Sequence, residues 1–331
     1  MGNRNRKRRP MIRKLEGFFE RLEVIVGTSV YEKIKDTFTV RPTTFRVNTL
    51  KASRHEVMME LSKNGFKVEQ IVWYKDAFIL KNKSKRELSN LSIYTEGKIY
   101  IQSLASMVPP LEMELEPGDV VLDLTAAPGS KTSQIAALLQ RKGELVANDV
   151  DKIRFLKLEH NMYHLGVAAL EDDTDWNFTL KLGQGRHLVK EYDNYFDKIL
   201  LDAPCSAEAR FDLNNSKTYS FWSERKVRDM AYQQRTLLLG AWQALKPGGI
   251  LVYSTCTMAP EENEIQVSRL LDRFDDAKIC TIMVPLKKIP PVLEWKELVL
   301  NKKIKKSLRV YPTNQIEGFF IAKIKKINHS K

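Results

Sequence analysis

Asp119-Val120-Val121-Leu122-Asp123-Leu124-Thr125-Ala126-Ala127-Pro128-Gly129-Ser130-Lys131-Thr132 runs from a short apolar stretch through a turn of small residues into a helical pattern over Lys131 to Arg141. An apolar run of this length reads as a strand buried on both faces, and a strand feeding a helix through a tight turn is the repeating unit of a parallel sheet. The unit recurs. Glu144 to Asn148 reads as a second strand, and Asp151 to Leu165 as a second helix ended by Gly166. Lys198-Ile199-Leu200-Leu201 reads as a further strand, Glu224 to Leu245 as a long helix, Lys246-Pro247-Gly248-Gly249 as a turn, and Gly249 to Tyr253 as another strand. The alternation predicts an α/β domain over residues 97–331, with a mostly parallel, doubly wound sheet covered by helices on both faces.

Upstream, residues 11–96 read as a small α+β unit. Met11 to about Phe38 carries helical apolar spacing, Thr43 to Asn48 reads as a strand, and Glu56 to Lys63 as a helix ended by Asn64-Gly65. Short strands are expected around Val68 to Trp73 and Ala77 to Leu80, and Pro109-Pro110 closes a helix that links the two parts. Residues 1–10 read as a basic tail.

The chain has 331 residues, 43% of them hydrophobic, which is enough for two domains and ordinary for a globular protein. Its formal charge is +13, with basic runs at Arg4 to Arg9, Lys81 to Arg86 and Lys302 to Lys306. Such an excess points to a polyanionic partner, because cations that neutralise phosphates release counterions; a nucleic acid fits best. No apolar run approaches the roughly 18 residues that cross a bilayer, and no secretory leader opens the chain, so a cytoplasmic protein is expected. The run at Arg4 to Arg9 also reads as a nuclear address. Three cysteines, without CxxC or Cys/His spacing, argue against both a disulfide framework and a metal site. Cys280, in an alternating stretch, reads as a buried core residue.

Two features carry chemistry. The small residues at Ala126 to Ser130 let backbone approach a ligand, and the following helix offers free amide donors to an anion. Asp149 ends the next strand 20 positions after Gly129, where an acid typically binds ribose hydroxyls, so an adenosine-containing cofactor is expected. A phosphate-binding loop fails on spacing, because Ser130 separates Gly129 from Lys131 and position 124 is leucine. A purely structural turn is the remaining reading of the segment. The second feature is a pair of thiols at strand ends, Cys205 in Asp202-Ala203-Pro204-Cys205-Ser206 and Cys256 in Ser254-Thr255-Cys256-Thr257. Taken singly, each reads as a core residue; together, at corresponding strand ends, they read as one reactive site, with a redox pair as the competing reading. Lys131 is the nearest candidate cation. Ala259-Pro260-Glu261-Glu262-Asn263-Glu264 reads as a helix start with proline and acids in its first turn.

These stretches together resemble the motif set of the Sun/NOL/NOP-type (RsmB/RsmF-like) RNA cytosine-carbon-5 methyltransferases. The resemblance extends to Arg46-Val47-Asn48-Thr49-Leu50-Lys51, Gln102-Ser103, Pro312 and Glu317-Gly318-Phe319-Phe320-Ile321-Ala322, and so covers most of the chain after about position 40. It implies a Rossmann-like methyltransferase domain behind a small RNA-recognition-like unit, S-adenosylmethionine as cofactor, and cytosine in ribosomal or transfer RNA as substrate. Cys256 is implied as the nucleophile that adds to carbon 6, Cys205 as the residue assisting release, and Asp202 and Lys131 as the groups holding the ring. The implied cofactor contacts are Ala126, Ala127, Pro128, Gly129, Ser130, Lys131, Asp149, Arg154, Gln184, Asp202 and Pro204, and the implied RNA contacts are Arg46, Asn48 and Arg210. Thr125 and Ser130 depart from the usual cysteine and glycine, Gln184 stands where an acid is common, and Ala207 and Ala209 replace glycines. With the sequence ending soon after Phe320, recognition is expected to rest mostly on the catalytic face, the amino-terminal unit and the basic runs, in a monomer without metal or membrane contact. A binding or assembly factor of the same fold with slow turnover is the alternative.

Overall fold

The computed structural model describes residues 2–168 and 174–328, and of residues 2–12 the backbone alone. The chain opens with α1 (Gly2–Val26) and α2 (Thr28–Ile34), followed by β1 (Thr44–Val47), α3 (Arg54–Lys63), β2 (Val68–Ile71), β3 (Tyr74–Leu80), the short α4 (Lys85–Ser89) and α5 (Ser92–Thr95), and β4 (Ile99–Ile101). The strands form an antiparallel sheet in the order β2-β3-β1-β4. Alternation along β1 and β3 sends Phe45, Val47, Phe78 and Leu80 to one face, against Val57 and Leu61 of α3. Ala77 and Ile79 point the other way and join the main core with Leu104 and Val108. Ser53 caps α3 by accepting from the Glu56 amide.

Three expectations change here. The sheet takes in β4, so this unit runs beyond residue 96. The helices α1 and α2 leave it altogether: Phe18, Leu22, Ile34 and Phe38 pack with Phe211, Trp222 and Met258 of the larger domain. Helical spacing shows that a helix has an apolar face but not which surface covers it. The backbone of residues 2–10 continues α1 rather than forming a tail, and the side chains of the basic run Arg4 to Arg9 lie outside the described residues.

The larger domain follows: α6 (Leu104–Leu111), β5 (Val120–Asp123), α7 (Ser130–Leu138), β6 (Gly143–Asp149), α8 (Lys152–His164), β7 (Trp176–Leu182), α9 (Gly185–Leu188), β8 (Phe196–Asp202), α10 (Glu224–Ala244), β9 (Leu245–Thr255) and α11 (Glu264–Arg273). It ends with β10 (Ala277–Cys280), β11 (Lys288–Ile289), the hairpin β12 (Glu294–Trp295) and β13 (Leu298–Val299), β14 (Leu308–Val310) and β15 (Phe319–Lys326). The main sheet runs β11-β14-β15-β9-β8-β5-β6-β7, with β10 beside β15. β5 to β9 are parallel, and the strands beyond β9 are antiparallel. Successive strands leave β5 on one side through β6 and β7, then return on the other through β8 and β9. The switch point between β5 and β8 opens a crevice at the carboxyl ends of the strands, where open α/β sheets bind ligands. β7 is the edge strand; its half-buried alternation lacks the continuous apolar run that marks β5 and β8. The expected turn at Lys246 to Gly249 lies within β9, at a shift in its register with β8. Among the described residues, no helix is long and apolar enough to cross a membrane.

Candidate active site

The loop after β5 forms one wall of a cavity of about 300 Å³ whose lining runs from Ala126, Ala127 and Pro128 to Asp202 and Cys256. Gly129 ends the loop with φ of 100°, and a Cβ there would lie 2.5 Å from Met162 Cε of α8. Only glycine allows both the left-handed turn and this close packing. Behind the loop, the Asp149 carboxylate accepts from the Ala127 amide at 3.1 Å and the Asp151 amide at 3.0 Å, while Arg154 pairs with it at 3.5 Å and also donates to the Ala127 carbonyl. Beneath it, Asp123 accepts from Thr132 Oγ1 at 2.7 Å through one oxygen, and its other oxygen is buried without a partner. Burial pushes the Asp123 carboxyl up to about 7.

At the other end of the cavity, Asp202 closes β8 between two donors: Lys131 Nζ at 2.6 Å and Ser254 Oγ at 2.7 Å. Lys131 also donates to Ser106 Oγ at 2.7 Å and sits 5.7 Å over the Phe319 ring. Thr125 fixes the end of β8 by donating to the Asp202 carbonyl at 2.9 Å. Cys205 Sγ and Cys256 Sγ lie 3.3 Å apart, both half-buried and unbridged. Cys256 lines the cavity together with Arg210. Their environments separate the two thiols. The hydrogen bond from Cys205 favours the Cys256 thiolate, and nearby Arg210 and Lys131 add to this, so Cys256 is held below the ordinary thiol range. The same hydrogen bond, together with burial, pushes Cys205 well above it. Of the two thiols, Cys256 is therefore the one that ionises first.

Residues 110–325 match the family model of the 16S rRNA methyltransferase RsmB/F, and residues 16–104 match the N-terminal domain of the 16S rRNA methyltransferase RsmF. The chain belongs to the RsmB/F family. It is 38% identical over 289 residues to a tRNA (cytosine(49)-C(5))-methyltransferase of Pyrococcus abyssi, covering 87% of this chain and 88% of that one. It is 34% identical over 320 residues to the ribosomal RNA small subunit methyltransferase F of Vibrio campbellii, where the match spans 94% of this chain but 63% of the relative. Among solved structures, a methyltransferase homolog from Pyrococcus horikoshii superposes with a TM-score of 0.80 at 33% identity, covering 96% of this chain and 99% of that one. NSun6 from Pyrococcus horikoshii, solved with SFG, an analogue of S-adenosylmethionine, gives 0.77 at 25% identity, covering 94% and 98%. As an RsmB/F family member the chain is an S-adenosylmethionine-dependent RNA methyltransferase, and the Sun/NOL/NOP resemblance carried by its motifs is correct.

The cavity fits that cofactor. Its floor has an orphaned, buried acceptor in Asp123 Oδ1, suited to a cationic group, and its wall is a loop of small residues at a helix start. Ala126, Ala127, Pro128, Ser130, Lys131, Arg154 and Asp202 line it; Gly129 shapes it from behind, and Asp149 braces the loop. A carboxylate has about four acceptor sites, so the two bonds already made leave Asp149 capacity for more. Gln184, exposed just past the end of β7, and Pro204, whose carbonyl accepts from Gln234 Nε2 at 2.8 Å, are not among the residues that line the cavity.

Arg46 and Asn48, expected to contact RNA, are 1% and 0% exposed. Arg46 donates to Gln102 Oε1 at 2.9 Å and to the Ser130 carbonyl at 3.1 Å, and Asn48 donates to the carbonyls of Gly97 and Leu165 at 2.8 Å each. They join the amino-terminal sheet to the cofactor loop, and their burial turns both side chains away from solvent. Cys280 is half-buried at the end of β10 rather than in the core. The expected helix start at Pro260 is a turn, with α11 beginning at Glu264; Glu262 turns inward instead of lying at a solvated helix end. Asp123, Ser106 and the acids Glu208 and Glu262 were not legible as site residues, since each is placed by contacts distant in sequence.

Proposed function

We propose that this enzyme methylates carbon 5 of cytosine in structured ribosomal or transfer RNA through a covalent bond between Cys256 and carbon 6 of the base. The observation that carries this reading is the thiol pair, 3.3 Å apart, with Cys256 facing the cavity that the cofactor loop also lines. Carbon 5 of cytosine is a poor nucleophile until a thiolate adds to carbon 6, which splits one hard step into two easier ones. The Cys256 sulfur forms the S–C6 bond, and the C5–C6 π electrons move to carbon 5 and the ring. Asp202, fixed by Lys131 and Ser254, holds the polar edge of the base as this charge develops. The bound cofactor supplies an electrophilic methyl group. Release needs the proton on carbon 5 to leave, the C5–C6 double bond to re-form, and the S–C6 bond to break with its electrons returning to sulfur.

Cys205 suits the release step because of what raises it. Its thiol is held protonated by the hydrogen bond and charge of Cys256. Once the Cys256 lone pair is committed to the S–C6 bond that influence is gone; Cys205 can then shed its proton to solvent and accept the one on carbon 5. The base must be unstacked to reach the cavity, as expected for a loop or flipped nucleotide. The exposed basic runs at Lys81 to Arg86 and Lys302 to Lys306 suit the RNA backbone.

The test is incubation with RNA and methyl-labelled S-adenosylmethionine, followed by nucleoside analysis of separate transfer and ribosomal RNA pools. Label is expected in 5-methylcytidine from at least one pool. Label on another nucleoside, or none in either pool, contradicts the reading.

A further inference from the structure

A buried polar layer under the two thiols plays no part in the steps above. The residues that follow the cysteines pair side chain to side chain, Ser206 Oγ with Thr257 Oγ1 at 2.8 Å. Each is held by an acid that is 0% exposed. Glu262 accepts from the Ser206 amide at 2.9 Å and from Gln234 Nε2 at 2.9 Å, and its other oxygen contacts Ser206 Oγ. Glu208 accepts from Thr257 Oγ1 at 2.9 Å, the Met258 amide at 3.1 Å and Trp222 Nε1 at 2.8 Å. The loop carrying Cys205 is thus tied through two carboxyl groups to the loop carrying Cys256.

Counting hydrogens assigns a protonation state. The chain of oxygens Glu262, Ser206, Thr257, Glu208 contains three short oxygen-to-oxygen contacts, and a fourth, Thr257 Oγ1 to Glu262 at 3.5 Å, is too long to need a hydrogen of its own. Two hydroxyls supply two hydrogens, and a third has to come from an acid. We propose that Glu262, in its protonated form, is a positioning residue that keeps the Cys205 and Cys256 loops in register for the two thiol steps. The inference rests on the two-thiol reading above. Burial, with Glu208 beside it, pushes the Glu262 carboxyl up to about 8. The groups facing this layer are Cys205 and Glu208 from the loop after β8, Tyr253 from β9, and Arg21 from α1, which acts on Glu208 and pairs with Glu261. Glu264 nearby is neutralised by Arg309.

The sign follows directly. Above pH 8 Glu262 loses the third hydrogen and places negative charge beside the other buried acid, Glu208, so the loops separate and methylation falls. Ionisation of Cys256 acts in the opposite direction, and that of Cys205 lies beyond this window. Glu262→Gln preserves the neutral form: its oxygen accepts from the Ser206 amide and Gln234, and its amide donates to Ser206 Oγ.

Single-turnover methylation is measured from pH 6.5 to 9.5 for the natural protein, Glu262→Gln and Glu262→Ala. The natural protein is expected to decline above about pH 8, Glu262→Gln to show no decline there, and Glu262→Ala to be about a hundredfold slower at pH 7, with most of that loss recovered by glutamine. A Glu262→Gln profile that superimposes on the natural one, or the absence of an alkaline decline in the natural protein, overturns the proposal. If Glu262→Ala does not fold, the comparison of glutamine with glutamate decides alone. A Cys205→Ala control for covalent adduct separates the two failures: without adduct the two-thiol reading fails, whereas adduct with an unchanged Glu262→Gln profile overturns only the role of Glu262.

Discussion

The two ends of the cleft are built in different ways. The cofactor end is largely the backbone of one loop, Ala126 to Ser130, shaped by a single glycine and braced from behind by Asp149. The thiol end is made of side chains from two loops 51 positions apart, held 3.3 Å from each other by buried partners. A backbone-built site degrades by degrees when one side chain is lost, because the amides remain. A site built from facing side chains fails as a unit, because each member is positioned for the others.

The largest expected effect therefore lies at the thiol end. Asp202→Asn weakens the pairing with Lys131 and the group set against the base, and methylation at saturating cofactor should fall about 10²- to 10³-fold, a larger loss than in cofactor affinity, to which Asp202 is one contact among several. A loss in affinity without a loss in rate would break the contrast between the two ends. Next, Asp149→Ala removes the brace on the Ala127 amide, and calorimetric cofactor affinity should fall about 10- to 100-fold while rate at saturation stays within a few-fold. Smaller still is a pH effect on the cofactor end. A cationic ligand group prefers the ionised Asp123 carboxylate, which without ligand titrates at about 7, so binding below that pH has to displace a proton. Affinity should weaken by up to about tenfold per unit below pH 7 and level off above it. A flat profile in the natural protein would separate Asp123 from the cofactor's charge.

The same contrast explains what could be read from the sequence. The cofactor loop and the strand-helix alternation are local patterns, so the stretch from Asp119 to Thr132 carried the fold and one wall of the site. The thiols could be placed at strand ends for the same reason. Glu208 and Glu262 could not be placed with them, because Glu262 in Pro260-Glu261-Glu262-Asn263-Glu264 has the composition of a solvated helix start, and only the packing of Ser206 and Gln234 shows that it turns inward. Arg46 misled in the opposite way. The motif resemblance implied an RNA contact, yet Arg46 lies on the face of β1 opposite Phe45 and Val47, which sends it into the joint with the cofactor loop at Ser130. Likewise α1 and α2 read as part of the amino-terminal unit by proximity in sequence, whereas their apolar face covers Phe211, Trp222 and Met258, on the thiol side of the larger domain.

The division of labour between the thiols is the central claim, and trapping the covalent intermediate tests it most directly. Cys205→Ala and Cys256→Ala are each incubated with S-adenosylmethionine and substrate RNA, and the products are separated by denaturing electrophoresis. Cys205→Ala should accumulate a protein-RNA adduct that survives denaturation, and Cys256→Ala should form none and methylate nothing. Adduct in Cys256→Ala, or normal methylation by both variants, would contradict the assignment of attack to Cys256 and release to Cys205.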